Sequence, residues 1–174
     1  LLKYEFLIIL LTSKTYLEVI NIIKKIKLKI PFSVENGGAL YIPVKDTNDY
    51  KYKRILNPRA INKKVIKKIL NENMVKKYSN NIEFIEHLSS SKQMHITKLN
   101  LNQLENFNSR EYTVPILWHG NKKIKKEFER YLLNYNLKIT FGGKLNSISG
   151  LHSKFDSMTF FTRHYEQKFR ERNI

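Results

Sequence analysis

The stretch at residues 4–11, "YEFLIILL", constrains this chain more than any other. Its apolar residues run on without the alternation of a half-exposed strand, and it stops at polar "TSKT". Such a run fits a strand covered on both faces, as in a parallel sheet. Parallel strands need a crossover, and the next residues supply one. Thr15 and Glu18 stand at capping-box spacing, and Leu17, Ile20, Ile23 and Ile26 recur at helical intervals. "PFSV" then reads as a second strand and "ALYIPV" as a third. Asn36, Gly37 and Gly38 lie between them, residue types that accept the positive φ of a tight turn. This is a βα-type unit, so the expected class is α/β.

From Asp46 the character changes. "KDTNDYKYK" is polar and reads as a loop, and "PRAINKKVIKKILNEN" as a helix with Pro58 near its start. Residues 79–108 are rich in Ser and Asn and offer only short apolar pieces. "YTVPILW" is a strand in which Pro115 argues for an edge or a bulge. "KKIKKEFERYLLNYN" reads as a helix, and "LKITFGGKLNSIS" as two strands turning at Gly142 and Gly143. Met158, Phe161, Tyr165 and Phe169 share helical spacing, giving a last helix expected to pack on the first unit. The chain opens on Leu1 and Leu2 and meets an apolar run at once, which reads as a cut inside a longer protein.

The 174 residues are 41% hydrophobic, enough for a packed core. With no cysteine, disulfides and thiolate metal sites are excluded, which fits a reducing, cytoplasmic location. The net charge of +17 attracts phosphates of any kind. Its lysines are scattered, however, and Trp118 and the tyrosines fall at packing intervals. Nucleic acid is therefore the weaker reading of the charge, and no run reaches the ~18 apolar residues of a membrane span. His87, His95, His119, His152 and His164 show no metal-ligand spacing.

Chemistry concentrates where "FLIILLTSKT" ends a strand in hydroxyls and a lysine just before a helix. Ligands of open α/β sheets sit beyond the strand C-termini, where helix N–H groups favour anions. Thr12 or Ser13 can bond a phosphoryl oxygen there, and Lys14 adds charge. Taken alone, the same hydroxyls also read as an ordinary helix cap.

In order along the chain, "LLTSKT", "PFSVENGGALYIP", "SREYTVPILWHG", "ITFGGKLNSISG" and "SKFDSMTFFTRHYEQKF" resemble the mannosyl-3-phosphoglycerate phosphatase family. That family consists of metal-dependent phosphatases of the haloacid dehalogenase superfamily with a large α/β cap. The resemblance implies a partial Rossmann-like core at 1–44 and 149–174 around an inserted cap at 45–148. It implies that Thr12, with Ser13, holds the transferring phosphoryl group and that Lys154 neutralises its oxygens. Lys14, Glu35, Asn36 and Gly37 would face the substrate from the core. Arg110, Thr113 and Lys144 would face it from the cap. Ser153 and Phe155 around Lys154, and Ser147 in place of a hairpin histidine, depart from the family pattern.

The implied reaction is Mg²⁺-dependent hydrolysis of a small phosphorylated sugar, mannosyl-3-phosphoglycerate, through a phospho-aspartate. The family's Asp-x-Asp nucleophile motif and its Gly-Asp-x-x-Asn-Asp metal motif have no counterpart in this chain, so the stretch by itself is expected to be inactive. The rival expectations are a phosphatase for another phosphosugar or glycosyl-phosphoglycerate, and a degenerate member that binds sugar phosphates without catalysis.

Overall fold

The computed structural model describes residues 7–44, 49–73, 77–142 and 145–171. Two four-stranded sheets organise the chain. The first runs in the order β1 (Leu10–Leu11), β2 (Phe32–Val34), β3 (Ala39–Pro43), β4 (Tyr52–Leu56). Only β1 and β2 are parallel, and the crossover between them is helix α1 (Tyr16–Ile26). Both bonds of the expected capping box are present: the Glu18 N–H donates to Thr15 Oγ1, and the Thr15 N–H to the Glu18 carboxylate. Lys27 ends the helix at φ 54°, its N–H closing on Ile23 and Lys24 carbonyls in a left-handed cap.

The inner strand β3 is covered on both faces, which is why it lacks polar alternation. Ala39 and Tyr41 pack with Val19, Ile20 and Ile23 of α1. Their neighbours Leu40 and Ile42 point the other way, onto Phe161 of α6 (Lys154–Glu171). Leu10 and Leu11 divide between the same two faces. The first strand is shorter than its apolar run, since Leu7 to Ile9 precede it as extended chain and residues 4–6 lie outside the described residues.

The polar segment read as a loop ends in a strand. Tyr52–Leu56 pairs with β3 across five residue pairs, so the first sheet extends past the boundary expected at residue 44. As an edge strand it exposes Lys53, Arg54 and Leu56, which left no apolar signal. Pro58 also lies clear of its expected place, because α2 (Lys63–Asn73) starts five residues later.

The second sheet runs β5 (Ile82–Phe84), β6 (Thr113–Trp118), β8 (Leu145–Gly150), β7 (Leu137–Gly142), all antiparallel. Val114, Ile116, Leu137, Ile139 and Ile148 point to one face, where Ile66 and Leu70 of α2 and Phe128 and Leu132 of α5 (Lys122–Leu133) bury them. Short helices α3 (Ser90–Thr97) and α4 (Leu101–Asn108) cover one end of the opposite face, closing Ile85, Leu104 and Phe107 over Leu117 and Leu145. Pro115 stands in an interior strand. Because β5 pairs no further than Ile116, its missing N–H falls where β6 has no neighbour on that side among the described residues.

Candidate functional site

A cleft of about 630 Å³ opens between the carboxyl ends of β1 and β2 and the open face of the second sheet. Ser13, Lys14, Asn36, Ser153 and Lys154 form its floor. Pro115, Lys138, Thr140 and Ser147 form its roof, with Ile96, Leu99, Phe107 and Arg110 along one side. The roof follows from strand parity. Lys138 and Thr140 alternate with the core residues Leu137 and Ile139, and Thr140, Ser147 and Pro115 are successive cross-strand partners.

The floor is built around the turn at residues 35–38. Glu35, Asn36 and Gly37 all have positive φ, at 49°, 60° and 99°. Gly37 is required twice over. Its φ suits glycine, and a Cβ there would stand 2.2 Å from the Ser153 carbonyl oxygen at the start of α6. The turn and the end of β1 are stitched together, since the Asn36 N–H donates to the Thr12 carbonyl and the Glu35 N–H to that of Lys14, both at 2.9 Å.

Ser13, Lys14, Asn36, Arg110 and Lys154 therefore meet in one cleft, while several other expected residues take different places. Thr12 stands just behind Ser13, its Oγ1 accepting the Lys14 N–H at 3.2 Å. Glu35 does not face the cleft. Its carboxylate is buried and accepts the Glu111 N–H at 2.8 Å, the Tyr112 N–H at 2.9 Å and the Thr113 hydroxyl at 2.6 Å. Expected as a substrate contact, it is instead a clamp tying the turn to the start of β6. Thr113 belongs to that clamp and is fully buried, so it does not reach the cleft either. Lys144 lies outside the described residues.

Burial raises the Glu35 carboxyl above its ordinary range, and its hydrogen bonds with the nearby Arg110 charge pull it partly back. Burial lowers Arg110, against the opposing pull of Glu35 and Glu18. Its guanidinium lies 4.4 Å over the Phe107 ring. Nη1 donates to the Ser13 carbonyl at 3.1 Å and to Thr113 Oγ1 at 3.0 Å, while Nε is buried without a partner among the described residues. Lys14 pairs with Glu18 at 3.1 Å.

Sequence reasoning missed Lys138, Thr140 and His152. Alternation in "LKITF" could have placed the first two together, opposite the core face. His152 is fully buried, its Nε2 lies 3.0 Å from the Glu35 carbonyl oxygen, and burial lowers its pKa.

The Mg²⁺ implied by the family resemblance finds no fit here. Among the described residues no group of three or more His, Asp or Glu side chains could hold a metal ion. Among the described residues Glu18 is the one carboxylate lining the cleft, and it already accepts from Thr15 and Lys14. Among the described residues no helix is long and apolar enough to cross a membrane.

No protein-family model matches the sequence, and no curated protein sequence does. Solved structures do. A Thermoplasma acidophilum protein superposes with a TM-score of 0.59 at 14% identity, over 94% of this chain and 58% of that one. A haloacid dehalogenase-like hydrolase from B. subtilis gives 0.57 at 12%, over 95% and 69%. A Thermotoga maritima protein gives 0.53 at 14%, over 95% and 65%. This chain thus spans 58% of the length of the Thermoplasma protein. Identities this low establish likeness of fold, which is the expected α/β architecture of haloacid dehalogenase-like hydrolases with their Rossmann-like core.

Proposed function

We propose that this chain is the phosphoester-gripping and substrate-reading part of a haloacid dehalogenase-type phosphatase whose substrate is mannosyl-3-phosphoglycerate, released as mannosylglycerate and phosphate. One observation carries the reading: Ser13, Asn36 and Lys154 come from three separate elements and meet at the carboxyl edge of a parallel strand pair. Two helices begin there, α1 and α6, and helix N-termini favour anions. In this reading the Ser13 hydroxyl bonds a phosphoryl oxygen, Lys154 offsets the charge on the others, and the roof excludes water. The domain division follows the same reading, with the second sheet as the cap.

The described residues leave no carboxylate in the cleft free to attack phosphorus, so the 174-residue chain binds phosphoesters without hydrolysing them. Hydrolysis belongs to the chain extended by its flanking coding sequence. The test has two parts. Lys154→Met should weaken phosphoester binding to this chain by about tenfold or more, the worth of one charge-assisted contact, and unchanged affinity would remove the proposed grip. The extended protein should then release phosphate from mannosyl-3-phosphoglycerate in preference to a panel of other phosphosugars. Preference for another phosphosugar would reassign the substrate. Absence of turnover, with aspartates missing upstream, would make the protein a sugar-phosphate binder.

A further inference from the structure

Lys14, Arg110, Lys138 and Lys154 line the cleft, and the single lining carboxylate, Glu18, is engaged by Lys14. Among the described residues Arg110, Lys138 and Lys154 have no carboxylate at ion-pair distance. Arg110 is offset in part by the nearby Glu35 and Glu18 charges, which leaves Lys138 and Lys154 as the cations of the cleft open to anionic ligands. Lys138 comes from β7 in the roof, and its side chain reaches down to the segment that leads into Ser153 and Lys154. It is partly buried, and its Nζ makes one long bond, to the Leu151 carbonyl at 3.3 Å. An ammonium carries three donors, so two remain available to a ligand in the cleft. Beside it on the same face stand Thr140, two residues along the strand, and Ser147, the cross-strand partner of Thr140. Neither hydroxyl has a hydrogen-bond partner among the described residues. Asp156, the nearest opposing charge, is held by Ser153, Asn57 and Arg59.

We propose that Lys138, with the hydroxyls of Thr140 and Ser147, forms a second anion subsite in the roof of the cleft, so that the chain selects phosphoesters carrying another anionic group. The inference rests on the phosphoester reading above and goes beyond it by assigning the discrimination to residues of the second sheet. A structural role alone, tying β7 to the segment that returns to α6, would make Lys138 matter for stability and leave ligand preference untouched.

Binding of matched ligand pairs to the 174-residue chain tests this by calorimetry. One pair is 3-phosphoglycerate against glycerol 3-phosphate, which differ in a carboxylate. The other is glucose 1,6-bisphosphate against glucose 6-phosphate, which differ in a second phosphate. The more anionic member of at least one pair should bind about tenfold to a hundredfold tighter, as charge-assisted hydrogen bonds require. The preferred pair tells which anion the subsite takes. Lys138→Met should abolish that preference while glycerol 3-phosphate or glucose 6-phosphate keeps its affinity within about twofold, and Lys138→Arg should restore it. Thr140→Val, which leaves the Leu151 bond intact, should reduce the preference several-fold and serves if the Lys138 variants do not fold. Equal binding within both pairs, or a preference unmoved by these substitutions, overturns the subsite while the phosphoester reading stands. No binding of any of the four overturns both.

Discussion

Replacing Glu35 by alanine removes one acceptor pair from three donors at once. The Glu111 and Tyr112 N–H groups and the Thr113 hydroxyl all close on this carboxylate at 2.6 to 2.9 Å, and the site is buried. A buried donor left unsatisfied costs ~1–3 kcal/mol, and water entering the vacated space recovers part of it. The expected loss is about 4 kcal/mol, a large share of the ~5–15 kcal/mol that holds a domain together. Glu35→Gln keeps one acceptor oxygen but turns an NH₂ toward the remaining donors, so about 2 kcal/mol is expected. With a urea slope of ~2 kcal/mol per molar, the alanine variant should unfold about 2 M earlier and the glutamine variant about 1 M earlier. Equilibrium urea titration followed by tryptophan fluorescence and circular dichroism measures both shifts. An alanine midpoint within about 0.5 M of wild type would refute the reasoning, because the carboxylate could then not be the clamp between turn and strand.

Gly37→Ala forces a Cβ to within 2.2 Å of the Ser153 carbonyl oxygen at a φ of 99°. It should cost more than ~3 kcal/mol and, by displacing the start of α6, weaken phosphoester binding at Lys154, measurable by urea titration and calorimetry on one sample. Thr15→Ala loses the cap of α1 and the bond from Thr15 Oγ1 to the Asn106 carbonyl at 2.8 Å, for about 2 kcal/mol, most of which Thr15→Ser should retain. At Glu86 burial acts to raise the carboxyl pKa, but Lys63 and Lys67, each at 2.7 Å, outweigh it, and the net shift is downward. A lowered folded pKa gives stability that is present above the unfolded value and lost as pH falls through the folded one. As pH falls below the ordinary carboxylate range wild type should therefore lose stability that Glu86→Gln does not, and parallel pH dependences of unfolding would contradict this.

The first half of the fold was legible because its signals are local. A capping box and an apolar helix stripe declare α1, though Leu17 and Ile26 of that stripe are exposed, and an unbroken apolar run announces β1, of which only Leu10 and Leu11 pair while Leu7 and Ile8 are exposed. The hairpin of β7 and β8 announced itself through alternation and glycine. Tyr52–Leu56 did not, because an edge strand with exposed lysine and arginine has the composition of a loop until its partner is known. Residues 79–108 fold into pieces of three to eight residues whose burial comes from each other. Gln93, the buried residue of α3, is held by the Leu88 carbonyl and by Asn108, so its position is set by hydrogen bonding and carries no hydrophobic mark. In the cleft Ser13, Lys14, Asn36 and Lys154 of the floor lay in contiguous motifs that the sequence displays. The roof residues are spaced by sheet register, a relation between strands that no single stretch displays. Glu35 was found for the wrong reason: a charged residue beside a glycine turn suggests a ligand contact, whereas its partners are backbone N–H groups more than seventy positions away.

Gly150 lets the two connectors between the sheets come into contact. The chain leaves the first sheet through residues 57–62 and comes back through 151–153, and the two connectors touch where a Cβ at Gly150 would lie 2.3 Å from the Arg59 carbonyl oxygen. Two links packed this closely set the separation of the sheets at that point, and there is no room between them for a side chain. Gly150→Ala would wedge the links apart and hold the jaws ajar, which spin labels at Ser13 and Ser147 should register as a longer distance.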